Sequence, residues 1–272
     1  MPIKFGTDGW RAVISDDFTF ANLRLVAQAV AQHAWKDAPA GRRPRWVIGY
    51  DTRFLSDRYA HEVAGVFAAN DLPSVLARSD APTPAVSFAV RHLGADGGVM
   101  ITASHNPPRY NGFKVKASYG GSANATSIRG IEAELSGLIA SGATPAALPL
   151  ADAVARGLVE RFDPLPDYLN HIRSLIDLDR IANACPAVVV DPMYGAGRGY
   201  MRDFLEGAGC RVQEIRGGMN PGFGGIHPEP IERNLGALVT ALADGQWDIG
   251  LATDGDADRI GAMTPAGRFV DP

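Results

Sequence analysis

Three carboxylates lie at alternate positions near the C-terminal end of the chain, on Asp254, Asp256 and Asp258. Anions this close repel one another, so a divalent cation bound by carboxylate oxygens is their natural partner. The same spacing starts an EF-hand loop, but Arg259 stands where that loop needs glycine and Pro265 stands where it needs glutamate. The residues therefore indicate either a metal site of another kind or a solvated acidic turn.

A second group that could do chemistry is the hydroxyl of Ser104. The apolar run 99–101 predicts a buried strand, and the small, polar and proline residues of 102–108 require the chain to turn directly after it. Loops at the ends of strands carry the chemistry of many α/β proteins. Taken alone, the residues also fit a surface turn that contains Ser-His. Asn111-Gly112 predicts a further tight turn before a second short strand at 113–115.

The elements that must position these groups alternate between short apolar runs and helical stripes, which is typical of α/β proteins with parallel or mixed sheets. The glycines after the run at 187–191 lack the G-x-G-x-x-G spacing, which argues against dinucleotide binding. Strands are predicted at 46–50, 75–76, 97–101, 187–191, near 212 and at 248–252. Helices are predicted at 20–33, from Ser56 as the cap to 70, from 85, and at 128–139, 168–178, 200–207 and up to 243.

Composition argues against several classes of partner. The chain has 272 residues, 46% of them hydrophobic and 21% charged, with a formal net charge of −4, so nothing suggests a nucleic acid or an anionic membrane. Cys185 and Cys210 fit neither a metal-binding spacing nor a disulfide framework. Apolar runs stay shorter than the roughly 18 residues of a membrane span, and the first residues lack a signal-peptide core. We therefore expect a cytoplasmic protein.

The segment Thr102–Pro107, followed by Asn111–Lys114, resembles the active-site serine loop of the α-D-phosphohexomutases. This family includes phosphoglucomutases, phosphomannomutases and phosphoglucosamine mutases. Phe5–Arg11 is similar to the family's opening segment, and Asp254–Arg259 to its metal loop. The resemblance implies two tandem α/β/α domains with mixed, largely parallel sheets, at 1–148 and 160–265. Residues 266–272 would begin a third domain, so that the chain is an N-terminal two-domain fragment of a four-domain enzyme.

The resemblance also implies roles for individual residues. The serine would carry a phosphoryl group, one Mg²⁺ would be bound by three aspartates and a phosphate oxygen on the serine, and a lysine would be the general base, with a histidine and an arginine as helpers. The catalytic residues are then Ser104, Lys114, His105 and Arg11; the phosphate-binding residues are Arg11 and Arg259; and the metal ligands are Ser104, Asp254, Asp256 and Asp258.

The implied reaction moves a phosphoryl group between O1 and O6 of a hexose phosphate through a hexose 1,6-bisphosphate, which also acts as activator. We expect a phosphoglucomutase, with phosphomannomutase, phosphoglucosamine mutase and a metal-dependent sugar phosphatase as alternatives. A binding module without turnover is a further alternative. The family's third and fourth domains contact the sugar and its distal phosphate, so the fragment alone is expected to be nearly inactive.

Overall fold

The computed structural model describes residues 3–6 and 9–270. By their contacts these residues form two compact units. Unit 1 comprises the chain up to residue 50, 55–102 and 109–164, and unit 2 comprises 51–54, 103–108 and the chain from 165 onwards. Each unit is an α/β/α arrangement around a mixed sheet, which confirms the predicted fold class.

A mixed sheet forms the middle layer of unit 1. Its strands are β1 (Trp10–Val13), β2 (Trp46–Tyr50), β3 (Ser74–Ala77), β4 (Gly97–Ile101), β5 (Tyr110–Ala117) and β6 (Val159–Phe162). They lie in the order β1-β5-β4-β2-β3-β6, with the last four parallel and β5 and β1 antiparallel to their neighbours. Every residue of β2 and β4 is buried, as expected for strands covered on both faces.

Helices cover both faces of this sheet. They are α1 (Phe20–Asp37), α2 (Ser56–Ala69), α3 (Thr83–His92), α4 (Ala125–Ala140) and α5 (Leu150–Ala155). Ile48 packs in the larger core with α1 and α2, whereas its neighbour Val47 packs in a second core with α3. Successive strand residues point to opposite faces, so one apolar run supplies both cores. Thr19 caps α1, where its hydroxyl accepts the backbone N–H of Asn22.

Two local predictions in unit 1 are wrong. Ser56 is not the cap of α2, because it is the first helical residue and follows Leu55, which has a left-handed φ of 62°. Asn111 and Gly112 do not form a turn but lie inside β5. The Asn111 side chain instead accepts the N–H of Gly112 and donates to the hydroxyl of Ser56. Pairing of β5 with β1 and β4, together with the hydrogen bond from Asn111 to Ser56, thus outweighs the local preference for a turn.

Unit 2 is built around a second mixed sheet. Its strands are β7 (Ala187–Asp191), β8 (Arg211–Glu214), β9 (Ile249–Thr253), β10 (Ile260–Met263) and β11 (Phe269–Val270), in the order β11-β10-β9-β7-β8. Strands β9, β7 and β8 are parallel, and β10 and β11 are antiparallel to their neighbours. Its helices are α6 (Leu165–Leu175), α7 (Leu178–Ala184), α8 (Tyr200–Gly207) and α9 (Gly236–Leu242). The core lies between α9 and strands β7 and β9.

The boundaries between the two units differ from the domain boundaries predicted from the sequence. Strand β6 pairs with β3, so residues 159–162 belong to unit 1 although the second domain was predicted to start at 160. Buried Leu158 and Val159 join the unit 1 core, which explains this placement. Within 266–272, expected to begin a third domain, strand β11 pairs with β10 of the unit 2 sheet.

Two short segments within the unit 1 sequence fold with unit 2. Residues 51–54 follow β2 and residues 103–108 follow β4, and β2 and β4 are neighbouring parallel strands. The carboxyl ends of parallel strands meet at the same edge of a sheet, so the two segments begin side by side.

Among the described residues, helices that combine the length and the apolar character needed to cross a bilayer are absent.

Candidate functional site

The acidic triplet lies in the hairpin that connects β9 to the antiparallel strand β10. One carboxylate organises this connection: Asp254 Oδ1 accepts the N–H groups of Asp258 and Arg259 at 3.0 and 3.2 Å. The backbone closes with Ala257 N–H on the Asp254 carbonyl at 3.1 Å, and Ala257 has a left-handed φ of 54°. The hairpin therefore turns the alternate positions of the sequence into one cluster of carboxylates.

The three aspartates offer oxygen atoms that all lie within 4.8 Å of one another. The side chains of Asp254 and Asp256 are buried, whereas that of Asp258 is 28% exposed. Burial, followed by the charges of Asp256 and Asp258, raises the pKa of Asp254 to about 8. Three converging carboxylates, one of which is costly to ionise in its buried position, fit a hard divalent cation, which prefers oxygen ligands.

Ser104 lies in the segment that follows β4 and is 1% exposed. Its Oγ donates a hydrogen bond to Asp254 Oδ2 at 3.1 Å, although the two residues are 150 positions apart. Its φ of 54° is in the left-handed region, where non-glycine residues are strained and where functional residues are often found. The predicted convergence of the serine hydroxyl with the acidic triplet is therefore present within unit 2.

Gly255 lets the backbone of the acidic hairpin approach the serine segment. A Cβ atom on this residue would lie 2.6 Å from the carbonyl oxygen of Ser104, a distance that real Cβ atoms do not tolerate. Gly195 is similarly placed behind the hairpin, where a Cβ would lie 2.8 Å from the Asp254 and Gly255 carbonyl oxygens. The glycines thus allow the serine and the carboxylates to pack backbone to backbone.

Two further predicted residues lie beside this cluster. His105 Nδ1 is 3.4 Å from Ser104 Oγ, and its Nε2 is 3.9 Å from a carboxylate oxygen of Glu229. Arg259 ends the hairpin with an exposed side chain, whose Nε is 3.9 Å from Asp258 Oδ1. Its guanidinium can thus reach an anion that approaches the carboxylate cluster from solvent.

Arg11 and Lys114 belong to unit 1. Arg11 on β1 pairs with Gly112 on β5, and Lys114 is two residues further along β5, so both side chains leave the same face of the sheet. Gly112 gives Arg11 room, because a Cβ there would lie 3.0 Å from the Arg11 Cγ and only 2.5 Å from the Thr102 carbonyl oxygen. Lys114 is 1% exposed, an unusual degree of burial for a lysine.

No role was predicted from the sequence for Asp51 and Arg53, which belong to unit 2 with the serine segment. Arg53 is 2% exposed and donates hydrogen bonds to three carbonyl oxygens of the serine segment. The signal that could have identified it is the polar triplet Asp51-Thr52-Arg53 directly after β2, the parallel neighbour of β4.

The fold and the site define an α/β protein with a buried serine hydroxyl held against a carboxylate cluster. Two family models match the chain: phosphoglucomutase/phosphomannomutase α/β/α domain I over residues 2–139, and α/β/α domain II of the same family over residues 166–267. The chain therefore belongs to the phosphoglucomutase/phosphomannomutase family, within the α-D-phosphohexomutases.

Individual relatives carry different names. A phosphoglucomutase/phosphomannomutase of Thermococcus kodakarensis is 31% identical, covering 98% of this chain and 56% of its own length. A phosphoglucosamine mutase of Clavibacter sepedonicus is 36% identical, covering 100% and 58%. A crystal structure from Thermus thermophilus, provisionally described as a phosphomannomutase, matches at 38% identity with a TM-score of 0.89, covering 100% of this chain and 59% of its own. The chain thus spans little more than half the length of these relatives, whose names leave the hexose open.

Proposed function

We propose that this chain provides the phosphoserine and the metal site of a phosphohexomutase, which moves a phosphoryl group between O1 and O6 of a hexose phosphate. The observation that carries the proposal is the 3.1 Å hydrogen bond from Ser104 Oγ to Asp254 Oδ2. It joins a hydroxyl in a strained, buried segment to carboxylates suited to a divalent cation. Phosphoryl transfer needs charge neutralisation and alignment above all, and these groups can supply both.

In the proposed cycle Ser104 carries the phosphoryl group. The free hydroxyl of the bound hexose phosphate attacks the phosphorus, the bond from phosphorus to Ser104 Oγ breaks, and the hydroxyl proton passes to a general base. The product, a hexose 1,6-bisphosphate, turns end for end within the site. Ser104 Oγ then attacks the other phosphorus, the bond from that phosphorus to the sugar oxygen breaks, and the proton returns from the base to that oxygen. This releases the isomeric monophosphate and restores the phosphoserine.

Asp254, Asp256 and Asp258 would bind one Mg²⁺, with a phosphate oxygen on Ser104 as a further ligand. When bound, the ion supplies positive charge that offsets the charge of roughly −1.5 to −2 on a phosphoserine near neutral pH. The donor set supports this proposal, since it consists of oxygen atoms alone. Arg11 and Arg259 are the proposed phosphate contacts, because a guanidinium stays charged and forks onto phosphate oxygens.

Lys114 is the proposed general base. A lysine normally stays protonated near neutral pH, so this role needs burial or nearby positive charge, and the Lys114 side chain is buried. Arg11, which leaves the same sheet face, would favour the neutral amine further, and His105 is the second candidate to hold a proton. Lys114→Met should lower phosphoryl transfer by about a hundredfold or more, a usual contribution of a general base. Lys116→Met, two residues along the same strand, is the matched control and should transfer at close to the normal rate.

Glucose phosphate is the preferred substrate in this proposal, with mannose and glucosamine phosphates as alternatives, and the expected location is the cytoplasm. The named relatives include enzymes for hexoses and for hexosamines, so the choice rests on the serine segment's likeness to hexose mutases. Because the chain spans little more than half of these relatives, we expect negligible turnover of glucose 1-phosphate by the 272-residue chain alone.

The proposal is tested by incubating the chain with glucose 1,6-bisphosphate and Mg²⁺ and measuring its intact mass. One phosphoryl group should be added, peptide mapping should find it on Ser104, and Ser104→Ala should abolish it. Addition at another residue, or none at all, would overturn the proposal. If the phosphoserine forms but loses its phosphate to water faster than to a hexose phosphate, the site belongs to a sugar phosphatase instead.

A further inference from the structure

The side chain of Arg53 binds the backbone of the serine segment, residues 103–108. Its Nη2 donates to the carbonyl oxygens of Ser104 and Asn106 at 2.5 and 2.7 Å, and its Nη1 donates to that of Pro107 at 2.9 Å. Three carbonyl groups of one short segment thus converge on one planar cation. A guanidinium suits this task because its donors point outward in a fixed fork.

Arg53 is itself held from several sides within unit 2. Its Nε lies 3.1 Å from Asp51 Oδ2, and its own N–H donates to Asp51 Oδ1 at 2.9 Å. Its Cζ stands 5.0 Å from the centre of the buried Phe223 ring, which is the geometry of a cation–π contact. The neighbouring Thr52 hydroxyl donates to the Tyr194 carbonyl at 2.9 Å. These contacts fix the position of the guanidinium, which in turn fixes the carbonyl groups of the serine segment.

One of these hydrogen bonds is made to Ser104 itself, the residue that carries the proposed reactive hydroxyl. The Ser104 carbonyl lies between the Arg53 guanidinium and the Gly255 backbone, and the same residue's Oγ reaches Asp254. The carbonyl carbon and the Cβ that carries Oγ are both bonded to the Ser104 Cα, so a backbone shift that breaks the carbonyl contacts also displaces the hydroxyl from the carboxylate. A misplacement of about 1 Å can cost a hundredfold in rate.

We infer that Arg53 is the positioning residue of the serine: by fixing the carbonyls of Ser104, Asn106 and Pro107 it holds Ser104 Oγ against Asp254. It acts through the segment's backbone and needs no contact with the sugar phosphate. The inference rests on the proposed function where it concerns phosphoryl transfer, and on geometry alone where it concerns the order of the segment.

Arg53→Lys is the informative substitution, because lysine keeps the charge beside Asp51 but lacks the planar fork. Arg216→Lys is the matched control. Arg216 forms a similar fork on Asp191, which it contacts through Nε at 2.9 Å and through Nη2, and it approaches the Asn234 carbonyl at 3.4 Å. Among residues 3–6 and 9–270 its guanidinium has no bond to the serine segment, so the control loses a similar fork within unit 2 without affecting Ser104 directly.

Three measurements are made on the wild-type chain and on both variants: the rate of Ser104 phosphorylation by glucose 1,6-bisphosphate, Mn²⁺ affinity, and hydrogen exchange of the peptide covering 103–108. Arg53→Lys should slow phosphorylation at least tenfold and speed exchange of that peptide at least tenfold, with Mn²⁺ affinity of the unphosphorylated chain unchanged within about twofold. Arg216→Lys should leave the phosphorylation rate and the exchange of this peptide within about twofold of wild type.

Equal rates in Arg53→Lys and wild type would overturn the inference, as would a loss of Mn²⁺ affinity in parallel with phosphorylation, which would indicate a general structural role. If the wild-type chain is not phosphorylated at all, the proposed function fails. The exchange measurement then still decides the inference, because unchanged protection of 103–108 in Arg53→Lys would refute it.

Discussion

Replacing Asp254 by asparagine should stabilise the metal-free chain while abolishing its response to Mg²⁺. Burial and two neighbouring carboxylates raise the pKa of Asp254 from 3.8 to about 8, so the folded chain binds this proton more tightly than the unfolded chain does. Stability that is fully present below about pH 4 is therefore lost as the pH rises towards 8. A side chain that cannot ionise escapes this loss.

The size of the effect follows from the two pKa values. A pH of 7 is about 3 units above the pKa of 3.8 of the carboxyl in the unfolded chain, which is therefore ionised. In the folded chain the same carboxyl is still mostly protonated. At about 1.36 kcal/mol per unit, ionisation of Asp254 in the unfolded chain favours unfolding and lowers the stability of the metal-free chain by about 4 kcal/mol. Asparagine keeps an oxygen that accepts the N–H groups of Asp258 and Arg259. We expect a gain of roughly 2–4 kcal/mol at pH 7.

The assay is urea denaturation followed by circular dichroism, in EDTA and in excess Mg²⁺, at pH 5 and pH 8. In EDTA the advantage of Asp254→Asn over wild type should grow from pH 5 to pH 8, whereas excess Mg²⁺ should stabilise only the wild type. Asp258→Asn is the comparison: its side chain is 28% exposed and its charge is only one of the causes that raise the pKa of Asp254, so it should stabilise the metal-free chain by less than Asp254→Asn does while also losing the response to Mg²⁺. A metal-free Asp254→Asn chain that is less stable than wild type at pH 8 would refute the reasoning.

Three other predictions use the same geometry. Gly255→Ala should lower the rate of Ser104 phosphorylation at least tenfold, because the new Cβ would lie 2.6 Å from the Ser104 carbonyl, whereas Gly207→Ala, with open space around it, should leave the rate unchanged. Gly112→Ala should destabilise the chain by about 1–3 kcal/mol in urea denaturation, because its Cβ would meet backbone oxygens at 2.5 and 2.8 Å. Mg²⁺ affinity, measured by calorimetry, should fall as the pH is lowered from about 8, because protons compete for Asp254.

The residues proposed to carry the chemistry could be named from the sequence, the three aspartates from their spacing and Ser104 from the resemblance of its segment to the family's serine loop. Asp254, Asp256 and Asp258 repel one another without a cation, and Ser104 lies three residues after the apolar run 99–101. The structure adds the hydrogen bond between Ser104 and Asp254. Most strands and helices were also predicted, because the strands carry short apolar runs and the helices carry an apolar period of about 3.6 residues.

The residues that support the site were harder to find, because their roles depend on distant partners. Asn111-Gly112 has the composition of a turn, yet Gly112 is needed where strand β5 closely approaches the Trp10 and Thr102 carbonyl oxygens. Arg53 looks like a surface charge until its carbonyl partners are known, since these lie 51 to 54 residues further along the chain. Local patterns cannot report such pairings.

The most direct test of the shared site is to measure whether the phosphate on Ser104 and the acidic triplet bind the same cation. The phosphorylated chain is loaded with one Mn²⁺ in place of Mg²⁺ and examined by electron–nuclear double resonance at phosphorus. A strong phosphorus coupling that disappears in Ser104→Ala, while Mn²⁺ stays bound, is the predicted result. Mn²⁺ bound by Asp254, Asp256 and Asp258 without any phosphorus coupling in the phosphorylated chain would contradict the account.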